Sequence, residues 1–163
     1  NEMKAAELKG AFSVLKKRFV VSISNHKPIE KFTYDLFISY SHENKDEVNL
    51  IFNEIKKIRP QTRIWIDQNQ LNAGAAWQQK IFEALEDCEK VLAVYSPTYL
   101  ASKVCKEEYN IALLRHRDSD EGVLIPLYLY TTNLPYYMQL IQFVDCREFD
   151  LDKIHEVCKS MYT

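Results

Sequence analysis

From Tyr34 onward the chain alternates short apolar runs with amphipathic stretches, and this alternation restricts its fold more than any other feature. Tyr34–Tyr40 (YDLFISY) is rich in β-branched and aromatic residues and predicts a first strand. Behind it, Asn44 is placed to cap a helix whose stripe is Val48, Ile51, Phe52, Ile55 and Ile58, ended by Pro60. Arg63–Ile66 predicts a second strand, and Trp77, Ile81 and Leu85 recur at four-residue intervals in a helix over residues 75–86. A third strand over Val91–Tyr95 is stopped by Ser96-Pro97, and residues 97–116 are mostly helical. The fourth strand, Val123–Tyr130, is interrupted by Pro126. A Tyr-rich loop over residues 131–139, a short fifth strand at Phe143–Cys146 and a helix over residues 151–161 complete the pattern.

Strands separated by helices require crossovers, which are right-handed and give a parallel sheet covered on both faces. Five of them predict an α/β, flavodoxin-like doubly wound sheet of order 2-1-3-4-5 with helices on both faces. Such sheets bind ligands beyond the carboxyl ends of strands 1 and 3, where the winding reverses. That rule directs attention to Ser39–Asn44 and Tyr95–Tyr99 before any single residue is weighed.

Upstream of this unit, Leu8, Ala11, Phe12, Leu15 and Phe19 predict an additional N-terminal amphipathic helix over residues 3–18, followed by a connector broken at Pro28. The expected organisation is therefore an N-terminal helix and connector over residues 1–32 and one α/β domain over residues 33–163. The chain begins with Asn and reads as an excised fragment, so that any targeting segment would lie outside it.

Composition excludes several classes of function. Only three of the 163 residues are glycine, at positions 10, 74 and 122. They lie too far apart to share a phosphate loop, which removes the Walker P-loop and the G-x-G-x-x-G fingerprint. A net charge of −2 supplies no basic field for nucleic acid or an anionic membrane. No apolar run approaches the roughly 18 residues of a membrane span. Cys88, Cys105, Cys146 and Cys158 form no C-x-x-C pair, and the four histidines lack metal-ligand spacing, so no metal site is expected. Lone cysteines and the absence of an N-x-S/T acceptor suit a reducing, cytoplasmic setting. A phosphoacceptor of response-regulator type needs an aspartate ending strand 3, where Tyr95 stands instead.

One carboxylate stands out. At about 100° per residue, Val104, Cys105, Ile111 and Ala112 define an apolar arc, and Glu108 falls in its middle while Glu107 points elsewhere. A carboxylate on a buried stripe is costly unless it is paired or lines a cleft. In another helical phase Glu108 is instead exposed or bridged to a lysine, and the sequence leaves both readings open. Trp77, in the first turn of its helix beside Gly74, is open to two readings, packing against the sheet or walling a ligand ring. Asp67, just after strand 2, is a turn-former or a polar contact at the same edge. Tyr128, Tyr130, Tyr136 and Tyr137 form either a protein-contact surface or a lid on the end of the sheet.

Tyr34–Ser41 (YDLFISYS) resembles the first box of the Toll/interleukin-1 receptor (TIR) domain. Ile66-Asp67 followed by Leu71, Gly74 and Trp77 resembles the second strand and BB loop of that family. Val91–Tyr99 (VLAVYSPTY) and Ser102–Glu108 (SKVCKEE) resemble its third strand and following helix. The resemblance covers about residues 33–158 and implies one of two functions. Some TIR domains are scaffolds that signal through TIR–TIR contacts. Others cleave NAD+, with a glutamate in a W-x-x-x-E pattern, which here reads Val104-Cys105-Lys106-Glu107-Glu108. The receptor box R-D-x-x-P-G is absent, and the start FISYS with L-x-x-G-x-x-W is more similar to the NAD-cleaving branch. The resemblance thus implies Glu108 as the catalytic residue, with Tyr40, Ser41, His42, Asp67, Leu71 and Trp77 binding substrate. It implies Gln70, Asn72, Ala73 and Gly74 as the BB-loop interaction segment, NAD+ as substrate with no separate cofactor, and self-association or other TIR proteins as partners in innate-immune or cell-death signalling.

Overall fold

The computed structural model describes residues 32–67 and 74–161, all within the second of the two units into which the chain divides, Phe32–Thr163. The N-terminal helix expected upstream, and Gln70, Leu71, Asn72 and Ala73, lie outside the described residues.

Five parallel strands form one sheet in the order β2-β1-β3-β4-β5. They are β1 (Tyr34–Ser39), β2 (Ile64–Ile66), β3 (Cys88–Tyr95), β4 (Leu124–Tyr128) and β5 (Val144–Asp145). The helices are α1 (Lys45–Ile58), α2 (Ala75–Glu86), α3 (Pro97–Ala101), α4 (Lys103–Asp118), α5 (Tyr136–Gln139) and α6 (Leu151–Ser160). The doubly wound architecture expected from the alternation is the one observed. β3 is longer than its apolar run because Cys88, at its start, is fully buried and pairs with Tyr34. The mostly helical stretch expected over residues 97–116 divides into α3 and α4, since Ser102 leaves the helical region and caps α4 by accepting a hydrogen bond from the Cys105 N–H.

The period-2 alternation of the strands separates two cores. Leu36, Ile38, Leu92 and Val94 face α1 and α6, where Val48, Ile51, Ile55, Ile154 and Val157 close the layer. Phe37, Val91, Ala93 and Tyr95 face the other way, against Ile81, Leu85, Cys105, Tyr109 and Ala112 of α2 and α4. Four free cysteines sit buried in these layers as small apolar residues.

Pro126 does not interrupt β4. Leu129 N–H bonds Tyr95 of β3, whereas the Tyr128 carbonyl accepts from Cys146 beyond β5, so odd-numbered amides face β3 and even-numbered positions face β5. Pro126 therefore turns its nitrogen toward β5, which pairs only from Leu127 onward, and no ladder bond is lost.

The tyrosines after β4 mostly close the end of the sheet. Tyr128 is buried against Tyr95 and Phe143, and its hydroxyl holds the Thr132 backbone. Tyr137 packs edge-on against Tyr109, and Tyr130 donates to Glu47. Tyr136 alone among them is outward, 89% exposed.

Candidate active site

The site grows from the end of β1. Ser39 shares the face of Phe37 by strand alternation, so its side chain enters the layer that holds α3 and α4. There it meets two buried groups. Ser39 Oγ donates to Glu108 Oε2 at 2.5 Å and lies 2.8 Å from the Tyr99 hydroxyl. Glu108 is only 2% exposed, which settles the phase of α4. The buried arc is Cys105, Glu108, Tyr109, Ala112 and Leu113, the i, i+3, i+4, i+7, i+8 series.

Val104 does not belong to that arc. It is 38% exposed, because the arc is centred between Glu108 and Tyr109, and Val104 lies on its flank. Glu107 also faces outward, where it accepts a hydrogen bond from Gln78 of α2. The lysine-bridged alternative for Glu108 is thereby replaced by a serine bond.

Burial pushes the Glu108 carboxyl from 4.5 up to about 8; the Ser39 bond opposes this, and the charges of Asp67 and Glu107 add to it. The same low-dielectric setting pushes the Tyr40 phenol up to about 12 and the Tyr99 phenol well above its usual range. Cys105, one turn before Glu108, is raised to about 12 and donates to the Tyr40 carbonyl, so it is a packed thiol rather than a nucleophile.

Of the other expected residues, Tyr40 and Asp67 interact electrostatically with this carboxyl, and Ser41, His42, Trp77 and Gly74 stand on the adjoining segments. Tyr40 donates through its hydroxyl to the Asp67 backbone carbonyl at 2.9 Å, tying the ends of β1 and β2. Asp67 is buried, and its Oδ1 accepts from Trp77 Nε1 at 3.2 Å. Trp77 is half-buried and tilted against Trp65, 6.2 Å away, which itself stacks on Phe37 at 4.7 Å. It therefore packs against the sheet and holds Asp67 at once. Ser41 is buried, and its carbonyl begins the 3-10 turn His42–Asn44 by accepting the Asn44 N–H. His42 is half-buried, with Nδ1 enclosed and without a hydrogen-bond partner among the described residues. Gly74 is exposed and serves as the N-cap of α2, its carbonyl accepting from Trp77 N–H.

Asn44 does not cap α1 with its side chain as expected. Its Oδ1 accepts from Ser96 Oγ at 2.7 Å and from Thr98 Oγ1 at 3.3 Å. Ser96 in turn caps α3 by accepting the Tyr99 N–H. The loops after β1 and β3 are thus stitched across the point where the winding reverses. Ser39 and Tyr99 escape single-residue reading of the sequence, although the switch-point rule marked both of their loops.

Chemically, the arrangement offers a carboxyl whose Oε1 forms no hydrogen bond with a described residue, bordered by Tyr40, Asp67 and buried hydroxyls. Among the described residues no group of three histidine, cysteine, aspartate or glutamate side chains is arranged to hold a metal ion, and no helix is long and apolar enough to cross a membrane.

Comparison with known proteins identifies the family and the fold. A family model described as the TIR domain matches residues 36–158. A probable 2′ cyclic ADP-D-ribose synthase, TcpO, of Methanobrevibacter olleyae is 24% identical over 161 residues, 95% of this chain and 47% of its own. Toll-like receptor 2 type-2 of Gallus gallus is 26% identical over 103 residues, 63% of this chain and 13% of its own. The chain thus spans about half the length of the first relative and a small part of the second. Among solved structures, the TIR domain of the Toll-related receptor TRR-2 from Hydra magnipapillata superposes with a TM-score of 0.61 at 19% identity, covering 80% of this chain and all of that one. A TIR-STING receptor from C. gigas, solved in complex with 2′,3′-cGAMP, gives 0.66 at 17% identity, covering 82% of this chain and 41% of that one. With the family model matched from the core of β1 to the end of α6 and the same fold in those receptors, this chain belongs to the TIR-domain family.

Proposed function

We propose that this domain cleaves the nicotinamide–ribose bond of NAD+ when self-associated, with Glu108 as the catalytic carboxylate. The observation that carries the proposal is Glu108 itself: a buried carboxyl at the carboxyl edge of β1 and β3, anchored through one oxygen with no described partner on the other. Loss of nicotinamide leaves an oxocarbenium-like ribose, and an anion fixed beside it stabilises that charge where it develops. A cationic nicotinamide riboside drawn against the carboxyl also favours its ionised form, offsetting the burial that raises it to about 8. Tyr40, Ser41 and His42 line the site from β1, Asp67 and Trp77 from the other side, and Leu71 belongs to the same binding group. A neighbouring protomer's BB loop, including Gln70, Asn72, Ala73 and Gly74, completes it. NAD+ is then the substrate and no further cofactor is needed. The named activity of the Methanobrevibacter relative supports an NAD-consuming reaction of this class, operating in cytoplasmic innate-immune or cell-death signalling.

The test is nicotinamide release from NAD+ by concentrated or surface-clustered protein, with linear and cyclic ADP-ribose resolved by chromatography. Glu108→Ala should reduce the rate by about a hundredfold to a thousandfold, as for loss of a principal electrostatic group. Activity that survives this substitution sinks the assignment.

A second reading is a non-enzymatic scaffold that signals through TIR–TIR contacts. Val104 favours it: an exposed valine stands where the NAD-cleaving pattern has tryptophan. On that reading Glu108→Ala leaves signalling intact, and a charge at Ala73 or Ala75 abolishes association.

A further inference from the structure

Among the described residues, no cation holds Glu108 in place. The described titratable groups that act on it are Asp67 from the end of β2, Tyr40 from the end of β1, Tyr99 from α3, Cys105 on its own helix and, from the outward side of that helix, Glu107. None carries a positive charge. Its contact to the rest of the protein is instead a hydroxyl pair, Ser39 and Tyr99, both fully enclosed. A serine hydroxyl has one proton, and here it is donated to Glu108 Oε2. The Tyr99 hydroxyl, 2.8 Å from Ser39 Oγ, is then the donor in the second bond, so the chain runs Tyr99 to Ser39 to Glu108.

We propose that Ser39, backed by Tyr99, is the positioning residue for Glu108: its hydroxyl anchors Oε2 and leaves Oε1 for the substrate. An arginine in the same place would also fix the carboxylate, but it would neutralise the charge that a cationic transition state needs. Two neutral hydroxyls fix geometry and leave that charge uncompensated. Each bond in the chain polarises the next, so Tyr99 strengthens the Ser39 bond without touching the carboxyl. Strand pairing makes the anchor rigid, since Ser39 pairs in register with Ala93 and its backbone cannot shift without breaking the centre of the sheet. The identity of the ligand rests on the NAD+ reading above, whereas the anchoring does not.

The experiment titrates Glu108 in the full chain by isotope-edited infrared spectroscopy of its carboxyl, with Glu108→Gln as the blank. Wild type, Ser39→Ala and Tyr99→Phe are compared, and NAD+ turnover is followed in parallel. Ser39 stabilises the ionised form, so Ser39→Ala should raise the Glu108 midpoint by about one pH unit. Tyr99→Phe, which removes only a hydroxyl and preserves the ring, should move it in the same direction by less. In turnover, Ser39→Ala should lower kcat about tenfold while KM changes by less than about twofold, and Ser39→Thr should restore it. A midpoint unchanged in both folded variants overturns the proposal. A midpoint that moves as described in a protein that never cleaves NAD+ upholds the anchor and removes the NAD+ reading instead.

Discussion

Burial of Glu108 is a cost that pH exposes. In the unfolded chain its carboxyl ionises near 4.5, and in the fold near 8. Below pH 4.5 both states hold the proton, and the carboxyl makes no pH-dependent contribution. Between 4.5 and 8 the unfolded chain has released it while the folded one retains it. The unfolded state is favoured there by about 1.4 kcal/mol per pH unit. Above 8 both are ionised and the loss levels off. Glu108→Gln has the same shape, accepts the Ser39 hydroxyl through its amide oxygen, and never ionises. The stability difference between variant and wild type, referenced to pH 4, should therefore grow to about 3 kcal/mol at pH 7 and about 4–5 kcal/mol above pH 8. That is a large part of the roughly 5–15 kcal/mol that stabilises a domain. Urea unfolding of both full chains at pH 4, 5.5, 7 and 8.5 measures it, and because every other titratable group is common to both, the remaining titrations cancel. Parallel stability curves across this range would refute the reasoning, since Glu108 would then ionise at an ordinary pH in the folded protein. A carboxyl kept at such a position against its effect on stability is the kind of conflict that marks a functional site.

Two further perturbations probe the frame around the site. His116 Nδ1 accepts from the Val123 and Leu124 amides, and burial together with Lys90 holds its pKa below 6.5. The contribution of this neutral ring is present above pH 6.5 and fades as pH falls through its folded value. His116→Phe should cost about 2 kcal/mol at pH 7, flatten that acid slope, and accelerate amide hydrogen exchange at Val123 and Leu124. Asp35 accepts from the Arg63 backbone N–H and guanidinium, joining β1 to β2, and Arg63 holds its carboxyl below 3.8. Asp35→Asn should lower stability by about 1 kcal/mol at neutral pH, with the difference vanishing as pH falls below 3.8 and shrinking in high salt.

What the sequence alone determined is the part governed by local periodicity. Alternating apolar strands and amphipathic helices admit few solutions once crossover handedness and two-sided burial are imposed, and the sheet order followed from them. Helical phase singled out Glu108 over Glu107 for the same reason, since a rotation of about 100° separates neighbouring residues on a helix. Its limits were also local. An apolar arc through Val104 leaves out Tyr109 and Leu113, and their burial turns the true centre away from Val104.

Tertiary structure decided the rest, through pairs remote in sequence. Asn44 has the right chemistry for a helix cap, but Ser96 and Thr98, more than fifty residues on, offer its side chain two hydroxyl donors instead. Pro126 is a strand breaker by composition, harmless only because β5 is too short to need its amide. Whether Glu108 is solvated, bridged to a lysine or buried depends on what stands opposite α4. That neighbour is Ser39, brought there by β1 pairing with β3. Periodicity specifies which face a side chain takes, but only the packed sheet specifies what meets it there. For Glu108 that meeting sets the proton affinity and the anchor of Oε2.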